Sequence, residues 1–351
     1  MPLYCCIRIT PIRRSGMNTA SIHIKQTPEG YPFVALAQSD NGLLGRGVDW
    51  TRDKAVLKAR MEWLERTACV TPLHCGLVWG ASEDFPGKTR GLAVDPDEPR
   101  WWCTAHALES DEKVYFPLEY AQLGSACTVA NPVILKNSSG FSAHVSRQKA
   151  IHHGTCEILE RKGIDTLWNN PITLTYCPDA QNDEIERLTH IFLENGYAVR
   201  LALAHPLPGF HACLCIVREI GARNDKPAMV VGSGGDPDII AAVSKSMMEA
   251  YAQLINAIEL HTQGSHKNTF TFYFDHQNAA QLCQLWIHAE NDKSLPKSTT
   301  GLLPTTGIYY IDRNLPAAGY DQTFIIQTLI PDMDVQTIDS PGYAEMPCPF
   351  V

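Results

Sequence analysis

One pattern constrains this chain more than any other: a helical block occurs in it twice, without a gap. The first copy reads Thr51-Arg-Asp-Lys-Ala-Val-Leu-Lys-Ala-Arg-Met-Glu-Trp-Leu-Glu-Arg-Thr-Ala68. The second reads Ser146-Arg-Gln-Lys-Ala-Ile-His-His-Gly-Thr-Cys-Glu-Ile-Leu-Glu-Arg-Lys-Gly163. With residue 146 set against residue 51, Arg52/Arg147, Lys54/Lys149, Ala55/Ala150, Glu62/Glu157, Leu64/Leu159, Glu65/Glu160 and Arg66/Arg161 are identical, and each copy follows a glycine in register, Gly45 and Gly140. Residues at i, i+3 and i+4 share one face of a helix. Glu62, Glu65 and Arg66 therefore form one polar cluster, and Glu157, Glu160 and Arg161 a second. A chain containing such a block twice is built on an internal repeat.

If the two helices face each other across a pseudo-two-fold axis, four carboxylates and two guanidiniums converge. Uncompensated, four clustered carboxylates repel one another strongly. Mg²⁺ relieves that repulsion, because it takes hard oxygen ligands, keeps some of its waters and bridges phosphates. Arginines hold phosphate oxygens in bidentate fashion. One copy of Glu-x-x-Glu-Arg reads more readily as a solvated helix face; two copies argue for duplicated architecture and, without proving function, suggest a metal-nucleotide site.

Bulk properties agree with an enzyme-like domain. Apolar residues make up 44% of the 351 residues, enough for a substantial core. The formal net charge of -9 argues against a broad nucleic-acid surface, which needs dense Lys and Arg. No stretch is long and apolar enough to span a bilayer, and Met1 to Arg14 lacks an apolar run with a cleavage site, so the reading is a cytoplasmic protein. The 12 cysteines include no Cys-x-x-Cys pair and read as buried small apolar residues.

Periodicity predicts strands at Ser21–Ile24, Pro32–Ala37, Lys113–Phe116, Ile172–Tyr176, Ala198–Ala204, His211–Arg218, Gly307–Asp312 and Phe324–Leu329. It predicts helices over Thr51–Cys69, Ser146–Leu167 and Asn182–Asn195, and from Asp236-Pro237 to about His261. Thr51 reads as a helix cap and residues 71–112 as irregular. Gly232-Ser-Gly-Gly235 lacks the ending of a Walker loop and reads as a turn. No domain boundary is evident, so residues 1–351 read as one domain.

The blocks together resemble the YcaO family over most of the chain. Gly45-Arg-Gly47 leading to Glu62-x-x-Glu65-Arg66 resembles its first block, Gly-Lys-Gly before Glu-x-x-Glu-Arg. Asn137-Ser-Ser-Gly140 with Ala150, Gly154, Glu157, Glu160 and Arg161 resembles the central block. Asp236-Pro237 with Glu249 resembles the third, and Ile330-Pro331-Asp-Met-Asp334 a late Val-Pro-Gly-Leu-Glu segment. Pro347-Cys-Pro349-Phe-Val351, in the tail at 346–351, is similar to the Pro-rich ending of the azoline-forming branch.

The resemblance implies an α+β, pseudo-two-fold fold of antiparallel sheets flanked by helices, with a nucleotide between the repeats. It implies ATP and Mg²⁺ as cofactors, with Glu62, Glu65, Glu157 and Glu160 toward the metal. Arg46, Arg66, Ser142, Arg161 and Glu249 fall to the nucleotide. In the azoline-forming branch a Cys, Ser or Thr side chain attacks the preceding carbonyl carbon, and phosphorylation of the resulting oxygen lets it leave. Pro347, Pro349 and the Val351 carboxylate are implied catalytic positions. The implied partners are a ribosomally made precursor peptide, a separate leader-peptide-binding protein, a flavin dehydrogenase in the same complex, and other subunits as a homodimer or hetero-oligomer. Thioamide or amidine formation, or a non-catalytic scaffold role, are the alternatives. The chain departs from the family pattern at Lys58, Val145 and Lys149, and Gln253 lies one place out of the usual register. His152-His153 beside the second cluster reads as polar wall or as an aid to proton transfer.

Overall fold

The computed structural model describes residues 9–12, 20–25, 27–40, 42–73, 76–91, 97–121, 138–169, 175–176, 182–221, 226–262, 276, 302–313, 323–331 and 333. The chain opens with β1 (Ile9–Ile12), β2 (Ser21–Lys25), β3 (Phe33–Gln38) and β4 (Leu44–Asp49), followed by α1 (Arg52–Val70). Next come β5 (Leu77–Gly80), β6 (Arg100–Ala107), β7 (Lys113–Pro117) and β8 (Phe141–His144), followed by α2 (Arg147–Asn169). Then follow β9 (Thr175–Tyr176), α3 (Asp183–Glu194), β10 (Tyr197–Ala204), β11 (His211–Glu219), β12 (Met229–Asp236) and α4 (Ile239–Thr262). The last strands are β13 (Tyr309–Asp312) and β14 (Phe324–Leu329).

These elements form the α+β arrangement expected, with all paired strands antiparallel in three sheets. Their orders are β1-β2-β3-β4, β12-β11-β10-β9 and β5-β6-β13-β14-β8, with β7 beside β6. Three helices, α1, α2 and α4, each follow a strand at the end of a sheet: β4, β8 and β12. The first and second sheets have matching order when read from that strand, and α1 packs on β4 and β3 as α4 packs on β12 and β11.

Glycine makes this close packing possible. A Cβ on Gly45 would lie 2.2 Å from the Ala59 carbonyl oxygen, and one on Gly47 would lie 2.0 Å from that of Ala55. Gly232 and Gly234 meet Ser246 and Ala242 in the same way, at 2.3 Å each. Gly232–Gly235 is therefore part of a strand, not the turn expected from its composition; its glycines serve helix approach and not chain reversal. Residues 71–112, expected to be irregular, contain β5 and β6. Trp102 on β6 is buried and donates its indole N–H to the Gly80 carbonyl at 2.9 Å. Thr51 does not cap α1 with its side chain. Its N–H and hydroxyl both turn to Asp49 Oδ1, at 3.0 and 3.3 Å.

The largest apolar cluster joins the second sheet to α3 and α4 through Leu188, Phe192, Val217 and Tyr251. Another joins the first sheet to α1 and reaches Phe141 and Ile325 of the third sheet. Two buried cations bind the units. Lys25 on β2 pairs with Glu259 on α4. Arg313, just after β13, donates to the carbonyls of Ala68 and Thr71 at the end of α1, at 2.7 and 2.9 Å, where the helix dipole favours a positive charge. The five described cysteines are buried thiols, as expected for small apolar residues.

The glycine contacts give a direct stability test. Gly47→Ala and Gly234→Ala should each lower unfolding free energy by about 2 kcal/mol or more, since overpacking against backbone cannot relax cheaply. Lys58→Met, which removes an exposed ion pair, should cost below about 1 kcal/mol. Urea denaturation midpoints of the three variants decide the order.

Candidate active site

Each of the three strand-helix units holds a glutamate by a backbone N–H of its own segment. Arg46 N–H donates to Glu62 at 2.7 Å, Gly140 N–H to Glu157 at 3.0 Å, and Ser233 N–H to Glu249 at 2.6 Å. In two units an arginine one turn later completes the same clamp. Arg66 reaches Glu62 Oε1 at 2.6 Å and Arg161 reaches Glu157 Oε1 at 2.7 Å. The sequence repeat is thus a repeat in three dimensions.

The units are also stitched to each other. Glu65 of α1 accepts the Ala143 N–H of β8 at 2.8 Å, joining the first unit to the second. Glu160 of α2 packs its Cβ where a Cβ on Gly235 of β12 would come within 2.6 Å, joining the second to the third. Gln253 of α4 accepts from Arg46 Nη1 at 3.0 Å, joining the third back to the first. Gln253 is thereby shown to face the site in spite of its displaced register.

Glu62, Glu65, Glu157, Glu160 and Glu249 consequently share one electrostatic environment. Burial pushes Glu65 well above the usual carboxylate range, and repulsion from Glu157 and Glu62 adds to it. Burial likewise raises Glu157, with Arg161 opposing it, and raises Glu249, with the Ser233 hydrogen bonds opposing it. Glu160 is raised to about 7, first by burial and then by Glu249. These carboxylates are enclosed by protein yet remain partly open to water, as the lining of a pocket does.

Arg46 is lowered by burial, with Glu62 and Glu249 opposing, and its Nε is buried without a hydrogen-bond partner. Arg161 also binds the Ser139 and Ser138 hydroxyls, at 2.8 and 3.3 Å. The excess of enclosed carboxylate fits a hard divalent cation, and the unmatched Arg46 donor fits a phosphate oxygen. Among the described residues no three acidic, His or Cys groups already converge on one metal position. Mg²⁺ commonly uses one or two carboxylates and completes its shell with waters and phosphate oxygens.

Ser142 stands apart from the expected nucleotide set. It is buried, and its hydroxyl donates to the Ala150 carbonyl at 2.7 Å. Lys58 is exposed and pairs with Asp49 at 3.0 Å. Pro347, Pro349 and Val351 lie outside the described residues, as do Asp332 and Asp334 of the late Ile330–Asp334 segment.

A family model described as YcaO cyclodehydratase, ATP- and Mg²⁺-binding, matches residues 44–335. The chain belongs to the YcaO family. No curated protein matches its sequence. Among solved structures it is similar to YcaO from Methanopyrus kandleri bound with AMPPCP and Mg²⁺, at 19% identity and a TM-score of 0.62, over 93% of this chain and 85% of that one. It is similar to a chain of the E. coli microcin synthetase McbBCD complex with pro-MccB17 bound, at 15% identity and a TM-score of 0.71, over 92% and 91%. A heterocyclase in complex with substrate and cofactor gives 13% identity and a TM-score of 0.71, over 93% of this chain and 49% of that one. ATP and Mg²⁺, the cofactors expected from the sequence, are those of the family.

A second repeat, missed in the sequence reading, underlies the third unit. With Glu249 set against Glu62, Gly45/Gly232, Gly47/Gly234, Asp49/Asp236, Ala55/Ala242, Val56/Val243, Lys58/Lys245 and Met61/Met248 are also identical. A search keyed on Glu-x-x-Glu-Arg passes over it, because Ala252 and Gln253 stand where Glu65 and Arg66 do.

The raised carboxylates predict a pH effect. Glu160 binds its proton more tightly in the folded state, at about 7 against an ordinary 4.5. Its contribution to stability is present below the ordinary value and lost as pH rises through about 7. Metal-free protein should therefore lose Tm over that window more steeply than Glu160→Gln. Mg²⁺ with AMPPCP should offset the loss by binding the ionised folded form. Thermal unfolding in EDTA and in Mg²⁺ measures both effects.

Proposed function

We propose that this YcaO-family protein is an ATP-dependent cyclodehydratase acting on Cys, Ser or Thr residues of a precursor peptide. The observation that carries this reading is the union of both Glu-x-x-Glu-Arg clusters with Arg46 and Glu249 in one enclosed site. An ATP site made of these groups holds its phosphates by Arg46, Arg66 and Arg161, with Glu62, Glu65, Glu157 and Glu160 toward Mg²⁺ and Glu249 completing the wall. ATP, when bound, supplies the phosphoryl group that turns the amide oxygen into a leaving group.

The residues of the chain orient that transfer. Arginine donors face the charge that develops on the phosphoryl oxygens, which is where fixed dipoles and charges lower a barrier most. Backbone N–H groups hold the glutamates still, so little reorganisation accompanies reaction. We assign the Val351 carboxylate, presented by Pro347 and Pro349, to positioning the peptide or taking a proton. A separate protein that binds the leader of the peptide, a flavin dehydrogenase that oxidises the rings and a cytoplasmic location complete the reading. It is supported by the microcin synthetase neighbour, which is a complex with pro-MccB17 bound, and by the absence of any membrane-length apolar helix among the described residues.

The test is mass spectrometry with an ADP assay, using Mg-ATP, Cys/Ser/Thr-containing precursor peptides and the leader-binding protein. Loss of one water per ring, matched by ADP, is expected. Glu157→Gln and Glu160→Gln should each lower that rate by about 10²-fold or more, and removal of residues 347–351 should impair it. Thioamide or amidine products would replace the ring chemistry with another backbone modification. Failure to bind Mg-ATP with partner present would leave a scaffold subunit. Wild-type rates in both Gln variants would remove the site assignment.

A further inference from the structure

The three strand-helix units carry an equivalent clasp, and the middle one differs in kind. In the first unit Asp49, at the end of β4, pairs with Lys58 of α1 at 3.0 Å, and Lys58 also reaches the Val48 carbonyl at 3.1 Å. In the third unit Asp236 pairs with Lys245 of α4 at 2.6 Å, and Lys245 reaches the Gly235 carbonyl at 3.1 Å. The repeat that sets Glu157 against Glu62 sets His144 against Asp49 and His153 against Lys58. His144 and His153 do meet, edge to face, with ring centroids 5.3 Å apart. The ion pair that fastens strand to helix in the outer units is thus replaced, beside the catalytic helix α2, by two imidazoles.

The geometry points to His153 as a general base that takes the proton from the attacking side chain of the peptide, with His144 orienting it, which leaves to the Val351 carboxylate the positioning of the peptide. This assignment rests on the cyclodehydratase reading. His153 is partly enclosed but still reaches solvent, and along α2 it stands one turn, about 6 Å, before Glu157 and about 10 Å before Glu160. His153, Glu157 and Glu160 share one face of α2 at i, i+4 and i+7, so a peptide laid along that face can present its carbonyl to the phosphate end and its nucleophile to the imidazole. His144 Nδ1 accepts the Ser146 N–H at 2.9 Å, so neutral His144 carries its proton on Nε2.

The groups facing His153 are His144 from β8, His152 from its own helix, Asp236 from the end of β12 and Lys245 from α4. Burial and the Lys245 charge hold His153 down at about 4, so at neutral pH its lone pair is free to accept. In the step, the thiol or hydroxyl proton passes to the imidazole as the side-chain S–C or O–C bond forms. The carbonyl π pair moves onto its oxygen, the atom that the proposed reaction then phosphorylates. The imidazolium afterwards returns its proton to solvent.

The experiment compares His153→Gln, His153→Ala and the double variant H144D/H153K, using the precursor peptide that stimulates ADP release by the wild type. His153→Gln should slow peptide-stimulated ADP release and ring formation by about 10²-fold or more, with the Mg-ATP Kd unchanged. His153→Ala should regain rate as free imidazole is added. H144D/H153K rebuilds the Asp-Lys clasp of the outer units; it should keep the wild-type Tm and still fail to cyclise. A wild-type rate in His153→Gln, or in the double variant, would show that the pair merely fastens strand to helix and would overturn the assignment. A wild-type protein that turns over no precursor removes the cyclodehydratase reading first, and this assignment with it.

Discussion

The structure depends on a helix lying against a strand closely enough for the strand's backbone to hold a helical glutamate. Glycines bring the helix in, and one amide N–H then reaches a carboxylate that would otherwise be poorly solvated. In the first and third units the donor and acceptor are 16 residues apart, and in the second 17, so the device is local. It needs only a glycine-bearing strand, a short connection and a helix with glutamate at the right turn. Repeated three times, it supplies acidic groups already held in place before any ligand arrives.

The connections between units turn three local devices into one site. Glu65 bonds to the neighbouring strand, Glu160 packs on the next, and Arg46 closes the ring on Gln253. The result is electrostatically unfavourable without counter-charge, since burial and repulsion from neighbouring carboxylates both raise Glu65 and Glu160. Stability comes instead from the apolar clusters that pack α1, α3 and α4 against the sheets and from buried ties such as Lys25–Glu259. The fold thus holds a locally costly arrangement of the kind that a cation and a polyphosphate would relieve, a division typical of functional sites.

The sequence made the helices and most of the strands legible, because their apolar spacing and glycine stops are local signals. It also made the acidic helices legible, since Glu62, Glu65 and Arg66 recur in register as Glu157, Glu160 and Arg161. It concealed what depends on tertiary contact. Gly232–Gly235 reads as a turn on composition, and only the approach of α4 explains its glycines as strand residues. Ser142 sits where a phosphate contact is implied, and its hydroxyl donates to the Ala150 carbonyl of α2. Gln253 appears out of register along the chain but is in place in space, because Arg46 reaches across from another unit.

Comparison of the three units separates what the framework requires from what the site uses. All three keep the anchored glutamate, so it belongs to the framework as well as to the site. Only the first two keep the second glutamate and the arginine; the third has Ala252 and Gln253, which leaves its side of the pocket less charged. The first two units therefore each pair an arginine with the anchored glutamate, while in the third Ser233 holds Glu249 and Gln253 takes the Arg46 guanidinium. A symmetric ring would bind a polyphosphate equally in either direction. Unequal units would give such a ligand one preferred direction, because arginine favours its charged end.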